Sequence, residues 1–421
     1  MLLIKNAIIV DSRSKLNGKK RDILIKEGEI LSIKASIDQA KAKIWDVSGA
    51  CVSIGWMDVG TQVGDPGFEH REDLASVAEA AVSGGFTAIA CLPNTSPAIH
   101  SKSEVNYILK NTTGQIVDFF PIGSVSRNCE GKDITEIYDM HHAGAIAFSD
   151  GQQTIQDSSL MMRALQYVKA FDGLIMNHPA DASIGSGGQI HEGMVSTSLG
   201  MKGIAAISEE LMVQRDLYLV EYTHSRLHLL NISSGRSVEL IRQAQANGQQ
   251  VTASVPALNL VFDDGALSDF DVNYKVLPPL RSKNDIKILR KALKSGTLSV
   301  ITSNHTPLDS ESKDLEFPYA DFGVIGLETT FALLNTHLVD SSFSLEELIC
   351  ILAYNPRKVM RQHIPVIEEG APANLTIFDP DLVWTFDKQD IFSKSKNTPF
   401  VGTEFKGKVL GVVNNGDFRR I

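Results

Sequence analysis

Between about residues 51 and 364 the chain alternates strand-like and helix-like segments, and this pattern limits the fold more than anything else in it. Strand candidates lie at 87–91, 117–120, 145–148, 174–176, 226–230, 250–253 and 298–301, with helix patterns between them, such as 157–170 and 208–222. Repeated strand–helix alternation implies a parallel sheet covered by helices, and about eight strands suit a closed barrel better than an open, doubly wound sheet. No GxGxxG follows the first strand and there is no P-loop, so nucleotide binding has no local support.

The two chain ends read differently. Residues 2–4, 7–10, 22–26 and 30–33 are short strands, the last two joined by the turn Glu27-Gly28-Glu29. A hairpin cannot bury both faces alone, and the C-terminus offers further strands at 373–379 and 407–413 with a turn at 414–417. The expected architecture is α/β: a TIM-like (β/α)8 barrel over residues 51–364, with a small β-sandwich domain built from residues 1–50 and 365–421. A chain of 421 residues can hold both.

Bulk properties narrow the partners. A formal charge of −10 argues against a nucleic-acid surface. Cys51, Cys91, Cys129 and Cys350 are far apart and form no CxxC, which reads as reduced, mostly buried thiols in a cytoplasmic protein. No apolar run reaches the length of roughly 18 residues expected of a membrane span, and the N-terminus turns polar too soon for a signal peptide.

A barrel enzyme puts its chemistry at the C-terminal ends of its strands. The first such end is the stretch from Trp56 to Gly67. Alternate strand residues face one way, so a His-x-His here would aim two imidazoles at one metal; the chain has Gly60 and Gln62 instead. Further strand ends carry Asn94, Asp150, His178, Asn231 and the run Ser303-Asn304-His305.

Gly84-Gly85-Phe86-Thr87 running into Cys91-Leu92-Pro93-Asn94-Thr95, the stretch Lys275-Val276-Leu277-Pro278-Pro279-Leu280-Arg281, residues 322–329 and Asn397-Thr398-Pro399-Phe400 together resemble the dihydroorotase family of the amidohydrolase superfamily, in the form that associates with aspartate transcarbamoylase. The resemblance spans essentially the whole chain. It implies a (β/α) barrel with a flanking β-sandwich, and zinc that activates water to open the dihydroorotate ring. It also implies that metal ligands of the family fall on Gly60, Gln62, Asp150, His178, Asn231 and Asn304, the last at the general-base position. Substrate-holding positions fall on Gly64, Asn94, Leu277 and Leu308, and a paired-histidine motif is missing from residues 255–259.

Only Asp150 and His178 keep ligand chemistry in that carry-over, whereas a catalytic zinc site wants about three protein ligands and an open position. An amide at 304 cannot take a proton from water. The sequence therefore leads to the expectation of no catalytic residue and no cofactor, with Asp58, Gly60, Gln62, Asn94, Asp150, His178, Asn231 and His305 as a vestigial site. The expected role is a structural partner of aspartate transcarbamoylase, within a homo- or hetero-oligomer. Each survivor also has a plain structural reading: His178 as an interior histidine, Asp150 in a turn, Asn94 at a strand end, His228 in the core, His141 and His142 at a solvated helix end, and His191 in a flexible Gly/Ser-rich connection. The alternative is an active dihydroorotase or other cyclic amidohydrolase with a reorganised site, using zinc, in which Asp58, Asp65, Asp150 and His178 supply ligands or a base.

Overall fold

The computed structural model describes all 421 residues. Eight parallel strands run in the order of the chain: Trp56–Thr61, Phe86–Cys91, Asp118–Gly123, Ala147–Phe148, Leu174–Asn177, Arg226–Leu229, Val251–Pro256 and Val300–Thr302. The first and last meet where Gln62 N–H donates to His305 O at 3.2 Å, and where Asp58 accepts the Ser303 N–H at 2.7 Å. Met57, Val59, Ala88, Ala90, Ile122, Ala147, Leu174, Met176 and Val300 fill the barrel. Their alternates, such as Ile89, Ile175, Leu227 and Leu229, face the helices.

The first barrel helix shows how local chemistry sets an element. Apolar residues at Leu74, Val77, Ala78, Ala81 and Val82 give one buried face. Asp73 accepts from Ala75 and Ser76 N–H while its own N–H donates to the Ser76 hydroxyl, a capping box of about 1 kcal/mol. Residue 84 is glycine because a Cβ there would lie 2.1 Å from Leu327 O, and Gly85, with φ +85°, turns the chain out of the helix.

The chain ends form one separate eight-stranded sheet. Its order is Asp417–Arg420, Glu404–Asn414, Leu375–Thr385, Cys51–Ile54, Leu2–Ile9, Lys20–Lys26 and Glu29–Lys34, with Lys43–Asp46 also paired to Leu2–Ile9. It is continuously hydrogen-bonded and curls until Trp45 sits 6.4 Å from Phe418. Residues 51–54 belong to this sheet, past the end of its expected first segment at residue 50, and the barrel begins at Trp56. Trp56 joins the two bodies, packing on Phe86, Phe331 and Phe378. The buried Arg357 guanidinium adds bonds to Gly55 O, Ala353 O and the Thr87 hydroxyl, and burial pushes it down to about 10.

The Gly/Ser-rich connection around His191, expected to be flexible, holds two short helices and the strand pair Ile190–His191 with Gly203–Ile204. That loop is tied down by Arg281, whose guanidinium bonds Ile204 O at 2.9 Å and meets His191 Nδ1 at 3.2 Å. His228 is a core residue as expected, bonded to the Thr252 hydroxyl at 2.8 Å. No helix is long and apolar enough to cross a membrane.

Candidate active site at the barrel mouth

A cavity of about 190 Å³ opens at the C-terminal ends of the strands. Gly60 lines it from the first strand, Leu92 from beyond the second, and Gly151, Gln152 and Gln153 from beyond the fourth. His178, Leu230 and Asn231 follow the fifth and sixth strands, and Asn304 and Thr306 follow the eighth. Leu277, Phe322 and Gly323 cover it from two loops.

The two asparagines form a directed relay. Thr302 Oγ1 donates to Asn231 Oδ1 at 2.7 Å, Asn231 Nδ2 to Asn304 Oδ1 at 3.0 Å, and Asn304 Nδ2 to Leu277 O at 3.0 Å. Both residues have positive φ, 58° and 52°, a conformation asparagine tolerates better than most side chains. The sixth and eighth strands thus end in sharp turns whose amides knit the mouth and the covering loop together.

Gly60 is the other departure from regular structure. The pairing of the first two strands shifts register between Val59 and Thr61, and Gly60 has φ +90°. Strict alternation breaks at this bulge. That is why Gly60 lines the cavity while Gln62, two residues on, does not. The Gln62 Nε2 is buried without a hydrogen-bond partner.

Several residues grouped by sequence are not brought together. Asp58 is fully buried and accepts from the Thr61 hydroxyl at 2.6 Å and from the Ser303 hydroxyl and N–H at 2.7 Å, closing the barrel. The Asp150 carboxylate takes both the N–H and the hydroxyl of Ser126, and burial raises its pKa. Asn94 straps the Asp150 turn, donating to Asp150 O and accepting Gln152 N–H, both at 3.0 Å. Asp65 accepts the Tyr107 hydroxyl at 2.8 Å. His305 turns away from the cavity. Its Nδ1 accepts Gly326 N–H at 3.2 Å and its Nε2 lies 3.3 Å from Glu72. His178 alone of the ionisable candidates reaches the cavity wall, and burial lowers its pKa against the pull of Glu209.

Sequence reasoning missed Gln152 and Gln153, although they directly follow the strand-end turn it had singled out. It also missed the buried charges that hold the covering loops. Lys275 Nζ donates to Phe317 O at 2.7 Å and Ala320 O at 2.6 Å, and Lys313 Nζ to Val272 O at 2.6 Å and Gly323 O at 3.1 Å. Burial pushes both down to about 8.

Comparison with known proteins settles the lineage. The "Dihydro-orotase-like" family profile matches residues 50–237. A dihydroorotase from Pelotomaculum thermopropionicum is 40% identical over 418 residues, 99% of this chain and 97% of that protein. One from Syntrophus aciditrophicus is 38% identical over 418 residues, covering 99% and 98%. The chain belongs to the dihydroorotase family. Among solved structures, an L-hydantoinase (dihydropyrimidinase) from Arthrobacter aurescens superposes with a TM-score of 0.85 at 25% identity, over 99% of this chain and 95% of that one. The amidohydrolase barrel is therefore shown twice over, by relatives and by shape.

Family membership also corrects the expectation that no cofactor is used. The resemblance makes this a family of zinc hydrolases, and relatives named dihydroorotase over nearly their whole length bring zinc back as the metal to test for at this mouth. The side chains present do not match a three-ligand site of the usual kind. No group of three or more His, Cys, Asp or Glu side chains is placed to hold a metal ion, and the pairing of Asp150 with His178 is undone by the turn of Asp150 toward Ser126. What the mouth does hold is a single imidazole among neutral amides. The amides can orient a ligand but cannot move a proton, whereas a neutral imidazole can accept one.

Proposed function

We propose that this protein serves pyrimidine biosynthesis as a dihydroorotase-type cyclic amidohydrolase with a reorganised site, gripping the ring of a cyclic amide through neutral side chains. The observation that carries this reading is the cavity itself. It sits at the strand ends where a barrel enzyme works, and its polar wall is made of Asn231, Asn304, Gln152, Gln153 and Thr306. Amide side chains pair both with ring N–H and with ring C=O groups. His178 is the wall side chain able to accept a proton. The test is an assay of the purified chain for dihydroorotate ring opening and carbamoyl aspartate ring closure, with added zinc and with chelator. Zinc-stimulated turnover in either direction supports the reading, and its absence at every zinc level tells against it.

A second reading is favoured by the surface. The long helix Ile207–Thr223 exposes Ile207, Leu211, Tyr218 and Tyr222. At about 100° per residue these four fall within roughly 60° of one another, an apolar stripe on the outside of the barrel. It suits a partner protein, and the form of the family this chain resembles associates with aspartate transcarbamoylase. In this reading the protein is a structural partner of that enzyme. Co-purification of the two, and its loss in Leu211→Glu/Tyr218→Glu, supports it; separate elution with no change in transcarbamoylase activity or melting temperature tells against it.

A further inference from the structure

We infer that the protein carries a second ligand site, at the opposite end of the barrel from the mouth, and that this site takes a small sugar phosphate. The inference is independent of the reading of the mouth.

The place is a cavity of about 380 Å³ at the N-terminal ends of the last three barrel strands. Arg226 opens the sixth strand, Thr252 lies at the start of the seventh, and Ser299 precedes the eighth. The helix Asn355–Val359 closes it on one side and Gln245, from the helix after the sixth strand, on another. The volume lies within the roughly 300–1,000 Å³ of small-molecule sites. Arg226 and the mouth residue Asn231 are separated by the length of the sixth strand, which at 3.3 Å per residue sets the two sites roughly 16 Å apart.

The first ground is charge. In a chain of formal charge −10, the cations Arg226, Lys358 and Arg361 gather here. Arg226 Nη2 donates to Val359 O, next to Lys358, and its Nη1 to Asp172 O, both at 3.0 Å. Arg361 pairs with the Asp172 carboxylate, the one acidic side chain that bonds any of the three. Lys358 Nζ has no partner in the chain, and Arg226 spends only two of its five N–H groups. Burial, and then the charge of Arg361, hold the Arg226 pKa below its usual value. A dianion between Arg226 and Lys358 would offset that repulsion.

The second ground is the direction of the other hydrogen bonds. Gln245 Nε2 is spent on Val251 O and Thr297 O, both at 3.1 Å, and Asn355 Nδ2 on Ser299 O at 2.8 Å. Their amide oxygens remain. Gln245 Oε1 has no partner, and Asn355 Oδ1 meets only the Cys350 thiol, at 3.8 Å. These oxygens accept, so the body of the ligand must donate to them, as hydroxyl groups do.

The third ground is what the wall lacks. No aromatic side chain lines this cavity, and Val359 is its one apolar residue. A flat base would find nothing to stack on. A phosphate at the cationic side and hydroxyls against the amide oxygens describe a sugar phosphate.

The experiment is calorimetric titration of the full chain at low salt with ribose 5-phosphate, ribose and inorganic phosphate. The expected result is binding of ribose 5-phosphate at least about tenfold tighter than either part, a difference of about 1.4 kcal/mol. Excess dihydroorotate should leave the titration unchanged. Lys358 is exposed, so Lys358→Glu should melt as the wild type does and bind ribose 5-phosphate about tenfold more weakly. Lys358→Gln, which adds no negative charge, should act in the same direction, and Lys358→Arg should keep the affinity. Wild-type affinity in folded Lys358→Glu or Lys358→Gln overturns the inference, as does displacement by dihydroorotate or no binding of ribose 5-phosphate. Inorganic phosphate bound as tightly as ribose 5-phosphate would mean an adventitious ion only, and overturns it as well.

Discussion

Asn304 and His305 are neighbours in sequence and belong to opposite worlds. Asn304 faces the cavity in a relay of neutral amides. His305 faces backward into a buried cluster with Glu72, Glu328 and Ser393. There the Ser393 hydroxyl, the Ser76 hydroxyl and Lys394 N–H all bond Glu72, and Glu328 accepts from Phe392 and Ser393 N–H. The segment around residues 392–397 thus straps the loops that follow the first and last barrel strands. Charge is concentrated where it holds loops together and is absent from the cavity wall, apart from one imidazole. The difference teaches that buried ionisable residues in this barrel are bracing, and that the mouth must be understood through dipoles.

Breaking the brace should cost the most. Glu72→Leu strands His305, Ser393, Ser76 and a backbone N–H at once, and we expect a loss of about 3–5 kcal/mol in urea unfolding. If it costs less than a mouth substitution, the contrast between the two regions fails.

The next effect is one of pH. Burial raises Glu328 from 4.5 to about 7, and one oxygen lacks a partner. Its folded pKa is above its unfolded one, so its contribution is full below about 4.5 and is lost as pH rises to about 7. The size is up to about 3 kcal/mol. Glu72 acts in another window. Burial pushes it up, but bonds from His305, Ser393 and Ser76 outweigh this and hold it low, so its contribution is lost only below about 4.5. His228, pushed down to about 3 by burial, tilts stability the opposite way between pH 3 and 6.5. The quantity to measure is therefore the difference between wild type and Glu328→Gln. The variant should gain relative stability as pH goes from 4.5 to 7.5; a flat difference would show that Glu328 does not titrate in that range.

Gly60→Ala sharpens the picture of the mouth. The nearest atoms to an added Cβ are at ordinary contact distance, 3.6 Å, so the expected cost of about 1–2 kcal/mol is backbone strain at φ +90°. A neutral melting temperature would mean that the bulge relaxes.

Asn231→Ala is the smallest of the four, about 1 kcal/mol from the loss of two relay bonds. It should weaken ring binding more than it weakens the fold, which titration and melting on one sample can compare.

Much of the architecture is legible from pattern. Alternation over residues 51–364 locates the barrel strands to within a few residues, since strand interiors such as Ile89, Ala90 and Cys91 are apolar on both faces. The site is less legible. His-x-His spacing logic assumes a regular strand, and the bulge at Gly60 cannot be anticipated from one glycine. Asp58, Asp150 and His305 carry the residue types of chemistry, yet their partners Ser303, Ser126 and Glu72 come from distant elements or opposite faces. Nothing in the sequence marks Lys275 and Lys313 as buried, because the carbonyls that receive them are brought there by the fold.

The end sheet has a consequence for the birth of the molecule. Cys51–Ile54 is paired on one side with Ile8 and Ile9 and on the other with Leu375–Thr385. A ribosome must therefore release more than 370 residues before the first fifty find their last neighbour. Until then the growing chain carries an apolar strand edge, the kind of template on which other chains add. Early termination after the barrel would leave that edge open for good, so loss of the final strands should appear as aggregation during expression even though no residue of the mouth has changed.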